Sequence, residues 1–262
     1  MDVYNLLQNH MGYFILIFAR ISGIFSSAPL FAVRNMPSIV KIGLALMLSY
    51  IIAPVVLADA NTVIPDDIFP YIMILISEYL IGVILGFTTY IVFYGIQMAG
   101  AILDVKIGFG MVHIIDPAMG QRIPLIGNFK HMLAMIIYLA TNCHHLFLSA
   151  LYSSFTIVPV AKAVSFGGVG LIIAGMGSNI YLIAVKIALP VLIALFLTEV
   201  ALGILARTMP QLNIFVVGIP ARIIVGIFML IFGIPFYVAL LEVLFTGMLS
   251  NIYEVLWYLG QS

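Results

Sequence analysis

Long apolar stretches, separated by short polar or proline-containing breaks, run along the whole chain. A helix needs about 20 consecutive apolar residues to span a bilayer. Two of the stretches have about that length, and the others are long enough that a straight helix would overshoot the hydrocarbon core. The pattern therefore predicts an all-α, integral-membrane type of fold with about six apolar blocks, at residues 11–33, 39–58, 68–103, 132–160, 164–206 and 212–249.

Proline and glycine interrupt the last two blocks. Pro190 lies within block 164–206, and Pro220 and Pro235 lie within block 212–249. Proline removes a backbone donor and clashes with the preceding helical turn. Freed backbone groups are tolerated in an apolar environment only where neighbouring protein satisfies them. We therefore expect helical hairpins with broken and bent helices, packed against other protein, in a single domain over residues 1–262.

The chain carries few charges. Of its 262 residues, 64% are hydrophobic and 8% are charged, whereas soluble domains are about one quarter charged. The zero net charge and the lack of basic clusters argue against nucleic-acid binding. Cys143 is the single cysteine, which excludes an intrachain disulfide framework and a cysteine-rich metal site. The composition indicates a membrane-associated protein or a subunit buried in a membrane assembly.

Five charged residues lie inside the apolar blocks. Removing each charge from water costs free energy, so each is expected to have a role in packing or in function. One interpretation is an ion or proton path. The other is pairing that fixes packing, either within the chain or across a subunit boundary. We favour buried, paired charges because nothing sets the acids in a relay at helical spacing. The five residues are Arg20, Glu78, Lys186, Glu199 and Glu242.

The sequence predicts no enzyme, no metal site and no cofactor. In Cys143-His144-His145, neighbouring side chains on a helix would point about 100° apart and would not converge on one ion. His113 and Asp116 are three residues apart, but the surrounding glycine and proline favour a loop over a helical acid–base pair. Neither a phosphate-binding loop nor a nucleophile motif occurs in the sequence.

Residues 97–130 combine flexible and apolar positions. Gly108 and Gly110 let the backbone bend, and Asp116-Pro117 favours a turn. Phe109 and Met111 are large apolar side chains that a solvated loop would not need, and methionine is an adaptable filler. The residues alone leave two interpretations open, a pore plug or gasket and an ordinary connection packed on the core. The candidate plug residues are Lys106, Ile107, Gly108, Phe109, Gly110, Met111, Val112, His113, Ile114, Ile115, Asp116 and Pro117.

A second polar segment, residues 206–222, connects the last two apolar blocks. Its prolines and glycine predict a helix break, and its amide side chains can satisfy backbone groups that the bend frees. The residues of this helix-break segment that carry the pattern are Arg207, Pro210, Gln211, Asn213, Gly218, Pro220 and Arg222.

The segment 206–222 resembles the signature of the FliR family of flagellar export-gate proteins, whose relatives in type III secretion are called SctT. The resemblance covers nearly the whole chain, including its length and its apolar blocks. Three other places agree with it: Arg20-Ile21-Ser22-Gly23-Ile24-Phe25 with Pro29-Leu30-Phe31, Gln97-Met98-Ala99-Gly100, and the loop at Asp116-Pro117.

The resemblance implies a non-enzymatic subunit that joins FliP-like and FliQ-like subunits in a closed pore complex of the flagellar basal body, in the bacterial inner membrane. Unfolded flagellar proteins would pass through this pore, and the family's plug would correspond to about residues 106–122. An FlhB-like protein would contact the cytoplasmic side, with an FlhA-like ring and an ATPase below. The resemblance also implies bent hairpins that sit largely above the bilayer plane.

The residues also suggest an alternative, a polytopic secondary transporter with a substrate site at its broken helices. Such transporters carry inverted repeats with polar residues at matching breaks. We find no such repeat in the sequence.

Overall fold

The computed structural model describes residues 3–31, 36–58, 64–65, 67–109, 124–162, 164, 166–209, 211 and 213–261. Over these residues the long regular elements are all α-helices, which confirms the expected fold class. They are α1 (Val3–Ser27), α2 (Ser38–Ala58), α3 (Ile68–Ile107), α4 (Leu125–Ala140), α5 (Cys143–Ile157), α6 (Val169–Thr208), α7 (Ile214–Phe232) and α8 (Ile234–Gln261).

Five helices in the described part of the chain are long and apolar enough to cross a membrane, and α4 with α5 forms a bent pair that would make a sixth span. The length of the helices varies widely. Helices α3 and α6 contain 40 residues each, which is about 60 Å of helix, whereas a hydrocarbon core is about 30 Å thick. These two helices therefore extend well beyond what a single upright span requires.

Two of the expected proline interruptions do not end a helix. Pro190 lies inside α6 and Pro220 lies inside α7. A proline removes one helical hydrogen bond, and the many apolar turns on either side keep the helix intact where no water is present to replace the lost bond.

The chain does break at two other places. Asn142, between α4 and α5, adopts a φ of 57°, a left-handed conformation that asparagine tolerates better than most residues. Gly233, between α7 and α8, has no room for a side chain, because an added Cβ would lie 2.9 Å from the carbonyl oxygen of Met229. Pro235 follows it and cannot donate a backbone hydrogen bond to the preceding turn.

The chain divides into two compact units. The first contains residues 1–91, 142–177 and 246–262. In it, α1 and the first half of α3 meet at glycines. A Cβ at Gly82 would overlap the carbonyl oxygen of Arg20, and the Cα of Gly23 lies 3.1 Å from that same Cβ position. Small residues permit this close backbone approach between apolar helices.

The second unit contains residues 92–141 and 178–245. Its core includes an aromatic cluster in which the ring of Tyr138 lies 5.5 Å from that of Phe93 and 5.2 Å from that of Phe245, both edge to face. Such pairs stabilise a core beyond their buried area. Helices α3, α6 and α8 each have residues in both units. The division into units therefore does not separate the chain into independent lengths of sequence, and the single domain over residues 1–262 stays a prediction.

Candidate functional site

The candidate plug segment begins at the end of α3. Lys106 is exposed and Ile107 is completely buried. Gly108 has a φ of +110°, a conformation that glycine adopts without strain, and its N–H donates to the carbonyl of Asp104 at 3.2 Å. Gly108 therefore ends α3 in the manner of a glycine cap. Phe109 is half-buried, and the remaining plug candidates, residues 110–117, lie outside the described residues.

Helix α7 packs against the start of this segment. A Cβ added at Gly226 would lie 2.7 Å from Cδ1 of Ile107, and a Cβ at Gly108 would lie 3.8 Å from Cγ2 of Ile219. Helix α7 directly follows the polar part of the helix-break segment. Ile107 and Gly108, at the start of the candidate plug, therefore lie next to residues of α7 that belong to the helix-break segment or directly follow it.

Asp104 connects the two sides of the plug segment. Its buried carboxylate accepts hydrogen bonds from the backbone N–H of Ile126 at 3.0 Å and of Gly127 at 3.2 Å. These are orphan donors at the start of α4, where the helix dipole also favours a negative charge. Pro124, which precedes α4, provides no side-chain cap of its own. The last turn of α3 therefore caps the first turn of α4.

The backbones of α3 and α4 are also close at this point. A Cβ at Gly100 would overlap the backbone of Gly127, so the pair of glycines permits the approach that Asp104 needs. The last turns of α3 and the first turn of α4, which flank the undescribed stretch, therefore lie side by side. Sequence reasoning did not select Asp104, although an acidic residue near the end of an apolar helix was a usable signal.

The helix-break segment is mostly exposed. Arg207, Gln211 and Asn213 are exposed and Gly218 is buried. The carbonyl of Asn213 accepts the N–H of Val216 at 3.0 Å, as a residue at the start of a helix does. Pro210 lies outside the described residues, and Pro220 lies inside α7.

Arg222 joins this segment to a charged residue of α6. Its Nη1 lies 3.6 Å from Oε1 of Glu199, and both side chains are partly exposed. The guanidinium Nε also donates to the carbonyl of Gly218 at 3.4 Å. The pair therefore links the helices on either side of the break, and an exposed pair of this kind contributes little to stability.

Arg20 and Glu78 form a buried ion pair in the first unit. Nε of Arg20 lies 2.6 Å from Oε2 of Glu78, and both side chains are almost completely enclosed. Nη1 of Arg20 donates to the carbonyls of Ser154 and Val158, at 2.8 and 2.9 Å. The other oxygen of Glu78 accepts the N–H of Ala161 at 3.0 Å. The pair fastens α1 and α3 to the C-terminal end of α5, where a cation also interacts favourably with the helix dipole.

The expectation that Lys186 and Glu242 are buried, within the chain or across a subunit boundary, stays a prediction. Both residues are exposed, and Glu199 is partly exposed. They lie on outward faces of α6 and α8, and an apolar neighbourhood in sequence does not determine which face of a helix is covered.

The Cys143-His144-His145 run lies at the start of α5. Cys143 is buried, and the rings of His144 and His145 lie 4.1 Å apart. Among the described residues, no group of three or more His, Cys, Asp and Glu side chains is arranged to hold a metal ion. His113 and Asp116 lie outside the described residues.

Comparison with known proteins assigns the family. Residues 11–248 match the family described as bacterial export proteins, family 1. The chain is 38% identical over 221 residues to the flagellar biosynthetic protein FliR of Bacillus subtilis (strain 168), with 83% of this chain and 84% of the relative covered. It is 32% identical over 237 residues to FliR of Escherichia coli (strain K12), with 90% of both chains covered.

A relative from a secretion system is also similar. The Yop proteins translocation protein T of Yersinia pestis is 28% identical over 222 residues, with 83% of this chain and 84% of the relative covered. The matched region includes the α3–α4 connection, the Arg20–Glu78 pair and the helix-break segment. The chain is therefore a membrane-type component of a flagellar or type III export apparatus, and it belongs to the FliR family of bacterial export proteins.

Proposed function

We propose that this protein is a pore-forming subunit of the flagellar type III export gate, and that it assembles with FliP-like and FliQ-like subunits in the bacterial inner membrane, within the flagellar basal body. Unfolded flagellar proteins pass through the pore, and FlhB-like and FlhA-like components act on its cytoplasmic side. The observation that carries the proposal is the family match over residues 11–248, together with relatives named for flagellar biosynthesis and for Yop protein translocation.

The surface of α6 supports a role inside an assembly. Leu171 is 80% exposed near one end of this helix, and Ile204 is 62% exposed near the other. The mostly apolar stretch between them is about 50 Å long, whereas a hydrocarbon core is about 30 Å thick. Lipid can cover only part of such a face, so the rest needs apolar surfaces of other subunits.

The connection between α3 and α4 supports the gating role of residues 106–122. Asp104 and the Gly100–Gly127 approach hold both sides of this connection at one place. A segment anchored in this way can project into a pore and withdraw without disturbing the helices that carry it. Large apolar side chains such as Phe109 exclude water and ions when the segment occupies the pore.

The chain contributes the wall and the seal of the pore, and it carries out no chemical step. The energy for export comes from the proton gradient and an ATPase elsewhere in the apparatus. This division of labour fits a chain whose charged residues serve as caps and ion pairs, as Asp104, Arg20 and Glu78 do.

Purification from membranes tests the proposal. A tagged chain, extracted in mild detergent, is expected to elute in one large complex that contains FliP-like and FliQ-like proteins, identified by mass spectrometry. Deletion of the gene should abolish flagellar assembly. A chain that is stable alone or as a small homo-oligomer, and that takes up a small solute in vesicles, would instead establish a secondary transporter.

A further inference from the structure

Lys130 is a deeply buried cation in the second unit. It lies in α4, is 5% exposed, and lines a groove together with Phe129, Leu133, Pro190, Gly233 and Tyr237. Its Nζ lies 4.3 Å from the centre of the Tyr237 ring. The Tyr237 hydroxyl donates to the backbone carbonyl of Lys130 at 2.9 Å, which fixes the ring beneath the ammonium group.

Among the described residues, no carboxylate pairs with this ammonium group. Two ion pairs within 4.0 Å in that part of the chain, Arg20 with Glu78 and Arg222 with Glu199, do not involve Lys130. The attraction of a cation to a ring is much weaker than the cost of removing that cation from water. The described part of the chain therefore encloses Lys130 without supplying a full counter-charge.

Arg20 shows how the same protein treats a buried cation that has a carboxylate partner within the chain, although its Nη2 has no hydrogen-bond partner there. That guanidinium is just as enclosed, and it has a carboxylate partner at 2.6 Å, two carbonyl acceptors and the ring of Phe155 beneath it. Lys130 has the ring and lacks a carboxylate from the described part of the chain. The difference leaves Lys130 with an ammonium group for which the described part of the chain supplies no anion.

The mostly apolar lining of the groove suits the apolar side chains of a protein better than a lipid headgroup. Its walls are apolar, and it includes the break at Gly233 between α7 and α8. Pro235 cannot donate to the carbonyl of Ile231 in the preceding turn. The neighbouring helical hydrogen bonds are kept, because the N–H of Gly233 donates to the carbonyl of Met229 and the N–H of Tyr237 donates to that of Gly233, each at 2.9 Å. A carbonyl that lacks its helical donor is tolerated in apolar surroundings where other protein satisfies it.

We propose that this groove is the docking site for an apolar segment of another export-gate subunit, and that one Asp or Glu of this segment pairs with Lys130. The proposal rests on the proposed function, because it requires other subunits around the chain. The ion pair would specify the register of the docked segment, and the apolar walls would supply most of the contact area.

Zero-length carbodiimide crosslinking of the purified complex tests the pairing directly. The reagent joins an amine to a carboxylate only when the two groups are in contact. Mass spectrometry is expected to find Lys130 joined to an Asp or Glu of a different subunit. A crosslink to an acidic residue of this chain overturns the proposal. Retention of an anionic phospholipid that depends on Lys130, without a protein crosslink, overturns it as well.

Two substitutions separate charge from size. Lys130→Met keeps the length and removes the charge, whereas Lys130→Arg keeps the charge. We expect the Met variant to retain roughly tenfold less of the partner subunit after a stringent wash, because the partner's carboxylate is left unpaired. The Arg variant should retain the partner near the parental level. Equal retention by both variants and the parent contradicts the proposal.

Stability of the chain alone provides the control. Lys130→Met should leave the melting temperature of the purified single chain unchanged or raise it, because it removes an uncompensated buried charge. If the Met variant of the single chain melts at a lower temperature than the parent and also loses the partner subunit, Lys130 has a purely structural role and the proposal is overturned. If the parent complex forms and neither variant changes it, the docking site is wrong and the export-gate function stands. A parent chain that never assembles with other subunits refutes both.

Discussion

The carboxylate of Asp104 accepts the backbone N–H of Ile126 at 3.0 Å, across 22 residues of sequence. The bond joins the last turn of α3 to the first turn of α4, and the candidate plug lies between them. Charge-assisted bonds to the orphan donors of a helix start are among the stronger ones in proteins. Asp104 therefore holds together the two helix ends that flank the candidate plug.

Replacing Asp104 should loosen the closed gate. Asp104→Ala leaves the N–H groups of Ile126 and Gly127 without their acceptor, at a cost of about 1.5–3 kcal/mol, and Asp104→Asn should cost less because it keeps one acceptor. We expect more passive entry of ions or a small dye into cells that express the Ala variant. Glu254→Gln, at an exposed site in α8, is the control. A gate that seals equally well with Ala at position 104 would argue against the anchor.

The seal itself can be tested within the plug segment. Replacing Phe109 and Met111 together with serine, or deleting residues 108–111, removes the large apolar side chains to which the proposed function assigns the exclusion of water. Conductance of the reconstituted complex should rise, while the amount of complex stays near the parental level. Phe69→Ser, an exposed aromatic at the start of α3, controls for the loss of an apolar side chain elsewhere. If the double variant stays as tight as the parent, residues 106–122 do not form the seal.

The Arg20–Glu78 pair should be essential for stability. Arg20→Met or Glu78→Gln leaves the other charge buried without its partner. Each change should lower the free energy of unfolding by about 3–5 kcal/mol. Removing both charges should cost less than the sum of the single changes, which a double-mutant cycle in detergent measures. Glu199→Gln is the matched comparison, because its partly exposed pair with Arg222 should contribute about 1 kcal/mol or less. Additive single effects at Arg20 and Glu78 would contradict this account.

The contact between α1 and α3 requires glycine. A Cβ at Gly82 would overlap the carbonyl of Arg20, so Gly82→Ala should destabilise the chain by about 1–3 kcal/mol. Gly43→Ala is the control, because nothing lies within 4 Å of a Cβ at that position in α2, and alanine there should stabilise the helix by about 0.5–1 kcal/mol. Thermal unfolding in detergent measures both. Equal melting temperatures for the two variants would rule out the close approach.

Much of the helical architecture follows from the apolar pattern. Block 39–58 corresponds closely to α2 (Ser38–Ala58), and block 68–103 lies within α3 (Ile68–Ile107). Block 132–160 was less accurate, because α4 already begins at Leu125. Its first turns contain polar residues that resemble a loop, and Asp104 caps them from another helix.

The candidate site was only partly predictable. The sequence singled out the plug and helix-break segments by their composition. It did not show that Ile107 packs against Gly226 of α7, or that Asp104 caps α4. Such relationships depend on which helices become neighbours, and residues that are far apart in sequence carry no local trace of that choice.

By itself, the sequence determined the helical class, the excess of apolar surface and the family resemblance, because helix length and hydrophobicity are local properties of the chain. Only the tertiary structure decided what each charge does. Arg20 and Lys186 both lie in apolar blocks, yet one is enclosed with Glu78 and the other is exposed. The physical reason is that burial depends on which face of a helix packs against its neighbours, and that face is chosen by the assembled fold.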